Sequence, residues 1–225
     1  MKVPLMFLLM PLCLALVITS CLGHVVEDNW ELVFHAVKGN RQNVLAAWTN
    51  GTASPCTLDN GCINRGFTLD NWSNTTQHLR SPLINLWHLL NIIKVRVVFG
   101  AQGNTVAFLE FDGSGSNKEN WFSKERLLRS SWSDLNSNSV TNYFSMNGYP
   151  HFYNDSGRHF FINKSYGSCP NDIGWLVVID RIPVCTWEKK GDHPPLFLYS
   201  KSSKAMNWNT NIGSADVMNV YILTL

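Results

Sequence analysis

The stretch IIKVRVVFGAQGNTVAFLEFD, residues 92–112, alternates apolar and polar residues on both sides of a Gly- and Asn-containing break. Pairing Gly100 with Asn104 sets Ile93, Val95, Val97 and Phe99 opposite Phe111, Leu109, Ala107 and Thr105, an almost wholly apolar face. Lys94, Arg96, Glu110 and Asp112 share the other face. Strand side chains repeat every two residues, so a slip by one would mix the faces, and the register is well specified. One face of this hairpin is predicted to enter a core and the other to meet solvent.

Period-two patterning continues elsewhere. In WELVFHAV, Trp30, Leu32, Phe34 and Ala36 fall on one face and Glu31 and His35 on the other. HFFIN, GWLVVID, PLFLYS and the closing VMNVYILTL read as further strands between Gly, Asn, Pro and Ser clusters. Helical signals are few. SPLINLWHLLN has Ser81 to cap, Pro82 at the first helical position, and Leu83, Leu86, Trp87 and Leu90 on one face. SKERLLRS, opened by Ser123, and RQNVLAAW are shorter candidates. The expected fold is mostly β: an antiparallel β-sandwich or jelly-roll-like domain with two or three short helices and two disulfides.

A basic start at Lys2, an apolar run from Leu5 to Ile18 broken by Pro11, and small residues at Cys21 and Gly23 have the layout of a cleaved secretory signal. The run is short for a membrane span, which needs about 20 apolar residues. Ile18–Cys21 also fits a bacterial lipoprotein signal, ranked below plain cleavage. The chain therefore divides into a signal peptide, 1–23, and a single secreted β-rich domain, 24–225, with no membrane span. Formal net charge is +2, and removing Lys2 leaves +1. No run of Lys or Arg breaks that balance, so neither nucleic acid nor an anionic membrane is an expected partner.

Four cysteines remain in the mature chain, Cys56, Cys62, Cys169 and Cys185, and four allow three pairings. Zinc ligand pairs stand two to four residues apart and redox pairs as Cys-x-x-Cys; neither spacing occurs, so no metal or other cofactor is expected. Gly174 to Asp180 reads as a buried strand of about 20 Å. Its return leg after Asp180-Arg181-Ile182-Pro183 brings Cys185 back toward Cys169, which favours Cys169–Cys185 and leaves Cys56–Cys62 around the turn Asp59-Asn60-Gly61. Structural disulfides suit a secreted protein. Five Asn-x-Ser/Thr sites, Asn50, Asn71, Asn74, Asn154 and Asn163, are glycosylation candidates that agree with this compartment.

Glu110 and Asp112 stand two apart on one strand face, a spacing near that of the carboxylates of retaining glycosidases. The Glu-x-Asp start resembles that of jelly-roll glucanases of the laminarinase type, but Gly113-Ser114-Gly115-Ser116 follows where that family has another glutamate. A cross-strand ladder with Lys94 and Arg96 explains the pair without catalysis. In DGSGSNKENWF, Ser123 occupies the position where a calcium loop needs a bidentate Glu. The loop does gather Asp112, Asn117, Asn120 and Trp121, a mixture suited to a sugar: amides for hydroxyls and an indole face for the ring. Trp121 as a core plug is the competing reading. The seven histidines show no ligand spacing, and no nucleophile elbow, phosphate loop or dinucleotide fingerprint occurs.

The blocks NWELVFHAVKGN, FDGSGSNKENWFSKERLLRSSWSDL, HFFINKSYGSCPNDIGWLVVID and CTWEKK together resemble an uncharacterised family of small secreted proteins of marine invertebrates, molluscs and cnidarians. The likeness runs through nearly all of the mature chain, and NWFSK, SSWSDL and GSCPNDIGWLVV are its distinctive parts. It implies an extracellular, disulfide-bonded domain from an animal and transfers no catalytic or binding residue.

The sequence therefore points to a secreted, lectin-like binding protein for a glycan or a matrix component, without catalysis. The alternatives are a glycosidase-like jelly roll using Glu110 and Asp112, and a structural component of an extracellular or mineralised matrix.

Overall fold

The computed structural model describes residues 26–27, 30–50, 63, 75–148, 157–181 and 184–225. The expected signal peptide, Cys56, Cys62 and the candidate sites Asn71, Asn74 and Asn154 lie outside them. Strands are numbered in chain order. One antiparallel sheet has the order β1 (Val26–Glu27), β2 (Trp30–Val37), β13 (Val217–Thr224), β4 (Ile92–Ala101), β5 (Asn104–Asp112) and β6 (Leu127–Ser130), with β3 (Leu79–Arg80) also beside β2. The second has the order β12 (Ile212–Ala215), β10 (Leu196–Ser200), β9 (Ile173–Ile179), β8 (Arg158–Ser165) and β7 (Tyr143–Ser145), with β11 (Met206–Asn207) on β9. The two sheets pack face to face as a sandwich. Among the described residues, no helix is long and apolar enough to cross a membrane.

The β4–β5 hairpin keeps the expected faces over Val95–Phe99 and Ala107–Phe111 at a different register, but Ile92 rather than Ile93 enters the core and Thr105 is exposed. Val95 pairs with Phe111, Val97 with Leu109 and Phe99 with Ala107, two residues from the expected pairing. An even shift preserves the faces, so Val95, Val97, Phe99, Ala107, Leu109 and Phe111 all enter the core. A bulge beyond Phe99 then lets Gly100 meet Thr105 and Ala101 meet Asn104, tightening the turn to Gln102-Gly103.

Bulges also explain where simple alternation fails. On β2, Phe34 pairs with Val220 and Leu32 with Tyr221, so Val33 is an extra residue. Phe34 and Ala36 therefore face the core with Val33, while Trp30 and Leu32 join Tyr221 in a separate cluster. The expectation of one shared face for Trp30, Leu32, Phe34 and Ala36 is thus corrected. On β8, His159 pairs with Val178 and Ile162 with Leu176, and Phe160 takes the left-handed φ of 42°. Phe160 and Ile162 enter the core; Phe161 goes to the opposite side.

Both faces of the second sheet are covered, which accounts for the unbroken apolar run in GWLVVI. Leu176 and Val178 face the sandwich interior, and Val177 and Ile179 join an outer cluster with Trp187, Leu196, Leu198 and Trp208. The Cys169–Cys185 disulfide clamps the segment that carries Trp187, with Cα atoms 5.3 Å apart. Trp187 and Trp208 stack at 5.3 Å.

Helical structure is shorter than expected. Pro82–Leu89 is a 3-10 helix in which Ser81 caps the amide of Leu83, and it buries Ile84 and Trp87 while Leu86 and Leu89 are exposed. Ser123 opens a single 3-10 turn, Lys124–Arg126, and the rest of that candidate helix is β6. RQNVLAAW does supply α1 (Val44–Asn50), whose Ala46 amide bonds Asn43 Oδ1 and whose Val44 and Leu45 amides bond the carboxylate of Asp180.

Candidate functional site

The loop after β5 is tied together by its own polar groups. Asp112 Oδ1 accepts the Ser114 amide at 2.9 Å, and this bond, with the charge of Arg126, holds its carboxyl below the usual range. Asn117 Oδ1 accepts the amides of Glu119 and Asn120, while Asn120 Oδ1 accepts that of Asn117. Arg126 closes the loop from outside by donating to the carbonyls of Asp112, Ser114 and Gly115. Trp121 has no exposed surface; its ring contacts Trp48, Trp87, Phe111, Phe122 and Phe160. An indole so enclosed cannot stack a sugar, so the expected ligand role of Trp121 is replaced by a core role. Asp112, Asn117 and Asn120 spend their carbonyl or carboxylate acceptors on the turn and do not converge with an aromatic face.

Glu110 lies in a transverse row across three strands, with Arg96 on β4 and Arg129 on β6 as its direct neighbours. Arg129 Nη2 is 2.7 Å and Arg96 Nη2 3.3 Å from Oε2, and Lys94 Nζ is 3.5 Å from Oε1. Only 3% of the Glu110 side chain is exposed, against 60% for Arg129. This face was expected to place Glu110 in solvent; the long side chains of its partners cover it instead. Burial opposes its charge, but the Arg129 hydrogen bond and the charges of Arg129, Arg96 and Lys94 hold its carboxyl below the ordinary value. A carboxylate so held is a poor proton donor, and Asp112 beside it is turned to Ser114.

Other buried polar groups serve the scaffold. Arg158 donates to Glu188 at 2.6 Å, lies 3.6 Å from Asp172, and covers the Trp187 ring. Glu188 in turn accepts the amides of Val184 and Cys185 and so fixes the disulfide loop. His35 donates from Nδ1 to Asn219 Oδ1 and accepts from Thr75 at Nε2, while burial drives its pKa down to about 4. His159 bonds the same Asp180 that caps α1. Asn163 is buried: its Nδ2 donates to the Ser165 carbonyl and its Oδ1 accepts from Trp208. That removes Asn163 from the glycosylation candidates, because a glycan would need its Nδ2 in solvent. Asn50 ends α1. Among the described residues, no group of three or more His, Cys, Asp or Glu is placed to hold a metal.

A groove of about 390 Å³ opens where the two sheets meet, lined by Val106, Ser131, Trp132 and the run Tyr199–Ser203. Two Ser-rich segments form it, and backbone bonds hold them together. Trp132 Nε1 donates to the Ser200 carbonyl, and the Ser133 amide and hydroxyl both reach the Ser203 carbonyl. Asp134 fastens the junction by accepting from Trp175 Nε1 and the Ala205 amide. Burial and the charge of Asp216 push the Tyr199 phenol above its usual value, so it stays a neutral hydroxyl. The lining thus mixes serine hydroxyls, the Tyr199 phenol and Lys201 with the apolar side chains of Val106 and Trp132. It contains neither a carboxylate nor an imidazole.

The sequence offered two traces of this groove, the Ser- and Trp-rich SSWSDL and the run YSKSSKA. Neither has a spacing that marks a site, and nothing local says that residues 131–135 and 199–205 meet. No protein-family model matches the chain, and no curated protein or solved structure matches it either.

Proposed function

We propose that the protein is a secreted binding module for a glycan or a glycan-bearing component of the extracellular matrix. The groove between the sheets carries this reading, because its lining sets serine hydroxyls, the Tyr199 phenol and Lys201 beside the apolar side chains of Val106 and Trp132, a mixture suited to the hydroxyls and C–H faces of a sugar. Ligand sites are commonly concave, with an apolar lining and a few convergent polar groups. The groove walls are strands and short, hydrogen-bonded loops, so little has to be ordered on binding. The Cys169–Cys185 disulfide supports an oxidising compartment, and the apolar run from Leu5 to Ile18 supports secretion.

A glycan array probed with the full mature protein tests this directly. Retention of a set of neutral oligosaccharides is expected; an empty array favours a purely structural role. Incubation with β-glucans separates binding from catalysis. Hydrolysis abolished by Glu110→Gln would establish the glycosidase alternative.

A further inference from the structure

The outer face of the seven-stranded sheet carries a second feature, built from charge rather than from a cavity. Lys94 and Arg96 come from β4 and Arg126 and Arg129 from the stretch 126–129, which is why no basic run marks them in the sequence. The antiparallel pairing brings them together around Glu110 and Asp112, four cations against two carboxylates. Each of Arg96 and Arg129 reaches Glu110 through Nε and Nη2, and the Nη1 of each has no partner among the described residues. Arg96 rests on the Trp30 ring at 4.2 Å and Arg129 lies over Phe108 at 5.5 Å. Three cations are thus fixed by one buried anion and two aromatic shelves. Their outward charge is only partly neutralised: the side chains of Lys94 and Arg129 are 43% and 60% exposed.

We propose that this face binds a sulfated polysaccharide, with Lys94, Arg96 and Arg129 as the anion contacts and Glu110 as the residue that positions them. The row Arg96–Glu110–Arg129 spans three adjacent strands, and both guanidinium groups converge on Glu110 Oε2 with Lys94 beside them on Oε1. The result is one compact cationic centre on an open sheet face, which suits a single sulfate group presented by a longer chain. Guanidinium suits sulfate because its planar fork donates to two oxygens at once. The proposal rests on the reading of the protein as an extracellular glycan binder but uses a different surface, so the two can fail separately.

The test compares dextran sulfate with uncharged dextran on the full mature chain, at low and at high salt. Binding to dextran sulfate alone, lost at high salt, is expected, because exposed charges are screened. Lys94→Ala/Arg129→Ala should weaken it at least tenfold. Lys94→Ala alone, which removes the loosest contact to Glu110, should weaken it two- to threefold with an unchanged melting midpoint. Ser203→Trp, which fills the groove, should leave it unaltered. Equal binding of dextran and dextran sulfate would overturn the proposal, as would full binding by the single and double variants. Capture by phosphatidylserine vesicles without capture by dextran sulfate would also overturn it.

Discussion

Glu110 and Trp121 show how burial decides a residue's role. Both belong to groups that look chemically useful in the sequence, and both are enclosed in the fold. Replacing Trp121 by Ala removes the centre of an aromatic cluster and should lower stability by about 3–5 kcal/mol, read as a large fall in the melting midpoint. A midpoint within a degree or two of wild type would contradict a core role. Glu110→Gln leaves Arg96 and Arg129 facing a neutral amide. Loss of one partner from a buried pair costs about 3–5 kcal/mol, but these guanidinium groups are hydrated, so about 1–2 kcal/mol is expected in urea denaturation.

His35 predicts how stability changes with pH. Its ordinary pKa of 6.5 falls to about 4 in the fold, so the unfolded chain binds the proton first. Stability should therefore fall as pH drops from about 6.5 to about 4, by on the order of 3 kcal/mol, and level off below. Glu110 continues the trend lower down: its contribution is complete above 4.5 and is lost as pH falls through its depressed folded value. Asp172, pushed up by burial, acts in the opposite sense and offsets part of the loss. Urea midpoints at pH 7 and pH 4.5 check this, and His35→Gln should remove much of the difference. A flat wild-type profile would refute it.

At the scale of elements, the sequence is legible wherever one face is apolar over a whole strand. The β4–β5 faces, the final strand and the Cys169–Cys185 pairing were all legible. Errors arose where an extra residue enters a ladder. Val33 and the β8 bulge at Phe160 each swap the faces, and alternation alone cannot reveal a bulge whose residues are all apolar. SKERLLRS has a helical pattern, but pairing with β5 outweighs a short helix that lacks tertiary support. The disulfide loop has its own consequence: it holds Trp187 and Glu188 against β8 and β9. Changing Cys169 and Cys185 together to Ser should cost about 3 kcal/mol in the chain-entropy model. The loss should appear as a lower urea midpoint of the non-reduced protein, and an unchanged midpoint would show the loop held by packing alone.

At the scale of the whole molecule, the sandwich separates three surfaces with different chemistry. The disulfide-clamped cover seals the outer face of the second sheet, the ion row marks the outer face of the first, and the Ser-rich groove opens between them. The class of fold was legible because many short apolar or alternating runs are separated by Gly, Asn, Pro and Ser clusters. The groove was not, because its two walls are about 70 residues apart in sequence and meet only through pairing that no short motif announces. Calorimetric titration with the neutral oligosaccharide best retained on an array, using wild type and Ser203→Trp, tests the groove as the binding site. Ser203 is exposed, so the substitution should leave the melting midpoint within a degree or two while weakening affinity at least tenfold; equal affinity in the two proteins would contradict the account.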